Sequence, residues 1–128
     1  MNYLLRIAKM AKDMRLISAL ERLAEEAADH KREYSLSALA DIVHSESQEA
    51  LAIALGDAIK RGMIQRVIRI VSPENQGGIG DYSSLNDIPN VVRDWRADRD
   101  MEVRPDNLRV VYIFPSRNDS ARGIQKRG

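Results

Sequence analysis

At Gly62 the chain changes its hydrophobic period. From Asn2 to Arg61, apolar residues recur every three or four positions. Beyond it Val67, Ile68, Ile70 and Val71 form a β-branched run, with Arg66 and Arg69 between them, that ends at Pro73. A 3.6-residue period predicts amphipathic helices, and a β-branched run predicts a strand. The class is therefore α+β with the helices first. The length of 128 residues suits one domain.

The stretch from Asn2 to about His30 has neither Pro nor Gly. Its apolar positions include Leu4, Ile7, Met10, Met14, Ile17, Leu20, Ala24 and Ala27, the pattern of one amphipathic helix. Such a helix would span roughly 40 Å, more than a domain of this size needs for its own core. Either it breaks near Asp13, or its first turns protrude and find a partner. Ile7, Met10, Met14 and Ile17 fit alternating a and d heptad positions, but the next a position is Glu21, so no coiled coil is predicted. Two readings are open: a core helix with a frayed start, or a dimerisation helix with those four residues at the interface.

Lys31–Tyr34 is a polar connector. Ser35 is placed to cap a helix over Leu36–Val43, because its hydroxyl can accept from an orphan amide of the first turn. His44-Ser45-Glu46 is a turn, and Ser47 precedes a third helix from Gln48 to about Arg61, whose apolar face is expected to be Leu51, Ile53, Ala54, Leu55, Ala58 and Ile59. Gly62 stands where a helix end demands a left-handed residue, and Lys60 and Arg61 suit the negative end of the helix dipole. Farther on, Glu74–Tyr82 contains Gly77, Gly78 and Gly80 and is expected to be a mobile loop. Asp87-Ile88-Pro89 and Pro105-Asp106-Asn107 mark turns. Met101 and Val103 suggest a short strand, and Leu108–Phe114 a strong one. Trp95, the single tryptophan, is expected to cover the core here.

Lys plus Arg total 20 against 19 for Asp plus Glu, so the net charge is +1, and 44% of residues are hydrophobic. That balance is globular and excludes a strongly basic nucleic-acid-coating protein. The absence of cysteine excludes disulfides, Cys-based zinc sites and thiol catalysis. Arg6, Lys9 and Lys12 interrupt the first apolar residues, so no signal peptide is expected, and no run reaches the ~18 apolar residues of a membrane helix. A soluble, cytoplasmic protein is the expectation. His30 and His44 fall on different elements. Asp94, Asp98 and Asp100 lack the glycine and terminal glutamate of a calcium loop and are expected in a solvated turn. Gly77-Gly78-Ile79-Gly80 lacks the context of a phosphate loop. No catalytic residue, metal or cofactor is assigned, and the expectation is a protein that is not an enzyme.

The stretch Ser35–Pro73 resembles the winged helix-turn-helix family. Leu36-x-x-Leu39-Ala40 matches its scaffold helix, Leu51 and Leu55 its recognition-type helix, and Arg61-Gly62-Met63-Ile64 the small signature leading into its first wing strand. The resemblance implies a winged helix: three helices, then a small antiparallel sheet, with a long N-terminal helix. It implies one domain over 1–116, divided into an N-terminal helix (1–30), a helix-turn-helix (35–64) and an elaborated wing (65–114), followed by a flexible basic tail (117–128). The wing departs from the family, whose hairpin turns within a few residues, because 36 residues separate Val71 from Leu108.

The resemblance further implies double-stranded DNA as a partner, with the third helix in the major groove and the wing at phosphate. Its candidate contacts are Ser47, Gln48, Lys60, Arg61, Arg66 and Arg69. The charges temper this. Ser45–Arg61 holds Glu46, Glu49 and Asp57 against Lys60 and Arg61, and residues 72–114 hold five arginines against eight acids. Phosphate repels such carboxylates. A DNA-associated regulator is one expectation. The alternative is a protein-interaction or assembly module, with a homodimer through the N-terminal helix.

Overall fold

A computed structural model describes residues 2–74 and 76–116, apart from the side chains of 2, 8, 9, 11 and 12. The predicted tail, 117–128, lies outside the described residues. The protein is α+β. Its elements are α1 (Asn2–Glu26), β1 (Arg32–Tyr34), α2 (Leu36–Ile42), α3 (Gln48–Lys60), β2 (Gln65–Val71), β3 (Gly78–Tyr82), β4 (Val91–Asp94), β5 (Arg99–Glu102) and β6 (Leu108–Phe114). The larger sheet has the order β1-β6-β2-β3, and β4 and β5 form a separate two-stranded sheet. Contacts divide the chain into two compact units, Met1–Gln65 with the chain from Ile113, and Arg66–Tyr112.

In the first unit the helices are held by leucines at helical spacing. Leu16, Leu20, Leu23 and Ala27 from the α1 region, Leu39 from α2, and Leu51, Ala54, Leu55 and Ala58 from α3 are all buried. Helix α3 touches both α1 and α2. Each fully buried leucine contributes ~2–3 kcal/mol of transfer free energy. Helix α1 runs without a break past Asp13 and ends at Glu26, four residues short of the expected His30. The connector Lys31–Tyr34 contains a strand, β1, that polar composition concealed. Its Tyr34 meets Phe114 edge-on, with ring centroids 5.5 Å apart.

Caps fix the helix ends. Ser35 and Ser47 accept from the amides of Ala38 and Ala50, at 3.1 and 3.2 Å. At the end of α3, Gly62 has φ +75°, and the Met63 amide donates to the Ala58 carbonyl while the Gly62 amide donates to Ile59. That is the Schellman arrangement. Helix α2 ends in the same way without a glycine. His44 has φ +55°, and the Ser45 amide donates to the Ala40 carbonyl at 3.0 Å.

The second unit overturns the expected loop at Glu74–Tyr82. β3 pairs antiparallel with β2, with Arg69 opposite Asp81 and Ile70 opposite Gly80, and a bulge between Ile70 and Val71. Ser72 N–H donates to the Gly77 carbonyl (2.8 Å) and Gln76 N–H to the Ser72 carbonyl (2.9 Å), which closes the hairpin. Gly78 and Gly80 lie in the strand itself, opposite Val71 and Ile70 on either side of the bulge. The strand expected around Met101 and Val103 is Arg99–Glu102, paired with β4.

The two helix ends make opposite predictions. His44→Gly removes a left-handed Cβ clash and should raise stability by about 0.5–1 kcal/mol. Gly62→Ala introduces one and should lower it by about 1 kcal/mol. Urea unfolding monitored by circular dichroism measures both.

Candidate functional site

A groove runs along α1 and α3 within the first unit. One end is lined by Asp13, Leu16, Val43, His44, Glu46 and Ser47, and encloses about 500 Å³. The other is lined by Asp13, Ile17, Glu49, Ile53, Ala54 and Asp57, and encloses about 530 Å³. Asp13, Ser47 and Ala50 belong to both ends, so the two are continuous. The helical period explains the α3 wall. Glu49, Ile53 and Asp57 are four residues apart and share one face, while Leu51, Leu55 and Ala58 turn to the core. Ile53 is left 67% exposed, an apolar centre between two acids. A single exposed aliphatic is ordinary on a protein surface; here Ile53 shares the groove lining with Ile17 of α1.

The groove is acidic. Asp13, Glu46, Glu49 and Asp57 border it, against Arg15 at one end and Arg61, whose Nε lies 3.1 Å from Asp57. The Arg61–Asp57 pair is exposed and worth little. Glu49 also lies in the first turn of α3, where the helix dipole favours an acid.

The residues expected to touch DNA are dispersed. Ser47 and Gln48 start α3, and Lys60 and Arg61 end it, roughly 20 Å away along the axis. The Ser47 hydroxyl already accepts from Ala50 as a cap. Arg69 is engaged by Asp81 through two bonds, Nε–Oδ1 at 2.7 Å and Nη2–Oδ2 at 3.0 Å. Among the described residues only Lys60 and Arg66 of the four cations make no ion pair. The dimer candidates differ in setting. Ile7, Met10 and Met14 are exposed on the first half of α1, whereas Ile17 is half-buried and lines the groove.

Apart from Arg66 and Arg96, the arginines of the second unit are bound by its own acceptors. Arg93 pairs with Asp98 and Asp100, Arg99 with Glu74, and Arg104 with Glu102. Arg109 donates to the carbonyls of Asp106 and Leu108. Trp95 does not cover a core. It is 63% exposed at the β4–β5 turn, with the Arg96 guanidinium 4.9 Å from its ring centroid. The Arg96 guanidinium also lies close to Gly77, within 2.8 Å of where a Cβ there would sit.

Asp94, expected in a solvated turn, is instead buried. One carboxylate oxygen accepts from the Ser72 hydroxyl at 2.8 Å, the other from the amides of Arg96 and Ala97, both at 3.2 Å. It thereby ties the β4–β5 turn to the end of β2. Burial alone would raise its pKa. The Ser72 hydroxyl, the Ala97 and Arg96 amides and the Arg99 charge outweigh burial and hold it below the ordinary aspartate value. Among the described residues no group of His, Asp or Glu is placed to hold a metal ion. No helix among them is long and apolar enough to cross a membrane. No family model, curated protein or solved structure matches the chain.

The Asp94 carboxylate sets an acid limit. Its pKa is depressed by folding, so its contribution is present above the ordinary aspartate value and is lost as pH falls below it, through the depressed value. Acid titration of the unfolding midpoint should show this loss in the native protein. Asp94→Asn should be less stable at neutral pH and show a shallower acid dependence.

Proposed function

We propose that the protein is a winged-helix module that binds protein rather than DNA, capturing an amphipathic helix in the groove between α1 and α3. One observation carries the reading: the exposed face of α3 is acidic and apolar, with Ile53 between Glu49 and Asp57. A helix that enters the major groove needs cations near phosphate and donors toward bases. A helix that receives another helix needs an apolar centre with charge at its rim, as here.

The winged-helix assignment is supported by the order of α2, a short turn, α3 and a hairpin. The β2–β3 hairpin is closed by bonds among Ser72, Gln76 and Gly77, a short connection such as a wing has. The wing expected between Val71 and Leu108 is therefore better matched by β2 and β3. The second unit then elaborates the wing, with β4 and β5 as a separate hairpin. Regulation of transcription through duplex DNA is the other reading, and it would rest on Lys60 and Arg66.

Two titrations test the choice. A synthetic Lys/Leu amphipathic helix, added to isotope-labelled protein, should shift the amides of Ile17, Ala50, Ile53 and Asp57, and Ile53→Asp should abolish the shifts. Fluorescein-labelled random duplex at low salt should show no anisotropy change. Duplex binding that weakens with salt by ~0.9 log units of affinity per log unit of salt for each phosphate contact, and that Lys60→Glu or Arg66→Glu diminishes, would overturn the reading in favour of DNA.

A further inference from the structure

The two ends of the groove differ in charge. Arg15 and His44 line the end that also holds Glu46. The other end is lined by Asp13, Glu49 and Asp57 with Ile17 and Ile53, and, among the described residues, by no basic side chain. Arg61 reaches Asp57 from the end of α3. Along α3, Glu49 and Asp57 stand four residues to either side of the exposed Ile53. At 1.5 Å per residue, each acid is about 6 Å from the isoleucine along the axis. An occupant that matches this end carries an apolar side chain with a cation about 6 Å to each side.

The chain itself carries such a sequence beyond the described residues. Positions 117–128 hold Arg117, Arg122, Lys126 and Arg127 against Asp119. Ile124 is their only large apolar residue, and Arg122 and Lys126 stand two residues to either side of it. Extended chain advances about 3.3 Å per residue, so two residues span roughly 6.6 Å. Extended, Arg122–Lys126 presents cation, isoleucine and cation at the spacing at which α3 presents acid, isoleucine and acid. In a helix, residues two apart do not face the same way, so the match belongs to extended chain. The reach suffices. Ser116 is buried and belongs to the same unit as the groove. The eight residues from it to Ile124 extend to about 27 Å, more than twice the radius of gyration of about 12 Å expected of a unit this size.

We propose that Arg122–Lys126 of the same molecule lies extended in this end of the groove, with Ile124 against Ile17 and Ile53 and its two cations at Glu49 and Asp57. There it competes with the helix that the groove receives. The proposal rests on the groove being a helix-binding site and adds its regulation, because a partner must displace the tail. The charges meet at a solvent-open rim, so the tail's hold weakens as salt rises.

The chain has no cysteine, so Ser120→Cys takes a single nitroxide outside the docking residues. The spin-labelled, isotope-labelled full chain is diluted with excess unlabelled wild type, which suppresses contacts between labelled copies. The nitroxide should broaden the Ala50, Ile53 and Asp57 amides, and adding Ile124→Asp with Lys126→Glu should remove that broadening. In a second arm, the synthetic Lys/Leu helix should bind this tail variant ~2–10-fold more tightly than wild type, the gain when half to nine-tenths of the grooves are self-occupied. Broadening that spares α3, or that the tail variant keeps, overturns the proposal. Equal helix affinity for both chains also overturns it, and the groove reading then stands without the tail. A helix that shifts the Ile53 amide of neither chain overturns the groove reading, and with it the competition proposed here.

Discussion

The burial of Leu51 and Leu55 on one face of α3 is the constraint on which the rest of the first unit depends. These two, with Leu20 and Leu39, are 1% exposed or less, and they hold α3 between α1 and α2. A helix has one circumference. Once Leu51, Leu55 and Ala58 face the core, the four-residue spacing sends Glu49, Ile53 and Asp57 outward together. The groove is thus the other side of the core-packing pattern. Any replacement that rotated α3 to hide Ile53 would expose a buried leucine, and truncating such a leucine typically destabilises a protein by about 3 kcal/mol.

Charge in the second unit follows a different logic. Its acids outnumber its arginines, and the cross-strand register places them in pairs. Arg69 faces Asp81 in β2–β3, and Arg93 faces Asp100 in β4–β5. Exposed pairs of this kind add little stability each. Asp94 is the exception among the acids: buried and accepting three hydrogen bonds, it organises the β4–β5 turn.

Legibility in the sequence depended on whether a residue's role was local. Ser35, Ser47 and Gly62 were readable because a cap acts within one turn of helix. His44 does at the end of α2 what Gly62 does at the end of α3, yet nothing in a histidine announces a left-handed backbone. β3 was hidden because Gly77, Gly78 and Gly80 have low strand propensity, and pairing with β2 overrides propensity. Trp95 resembled a core residue by size alone. Its exposure reflects its place at a hairpin turn, with Arg96 against its ring. On the α3 wall of the groove, hydrophobicity grouped Ile53 with the core residues Leu51, Leu55 and Ala58, whereas the structure turns it outward between Glu49 and Asp57, 67% exposed. The other wall, Asp13 and Ile17, is on α1, thirty or more residues earlier in the chain.

By itself the sequence determined the α+β class, the helix starts and the point at which helix gives way to strand. Hydrophobic period and cap chemistry are local, and they act before any long-range contact forms. Tertiary structure alone decided that Leu16, Leu20, Leu23 and Ala27 are the buried face of α1, that Asp13 and Ile17 join α3 to make a groove, and that Arg69 is bound to Asp81. Those outcomes depend on which residues from distant parts of the chain come within a few ångströms, and spacing along one segment does not specify that.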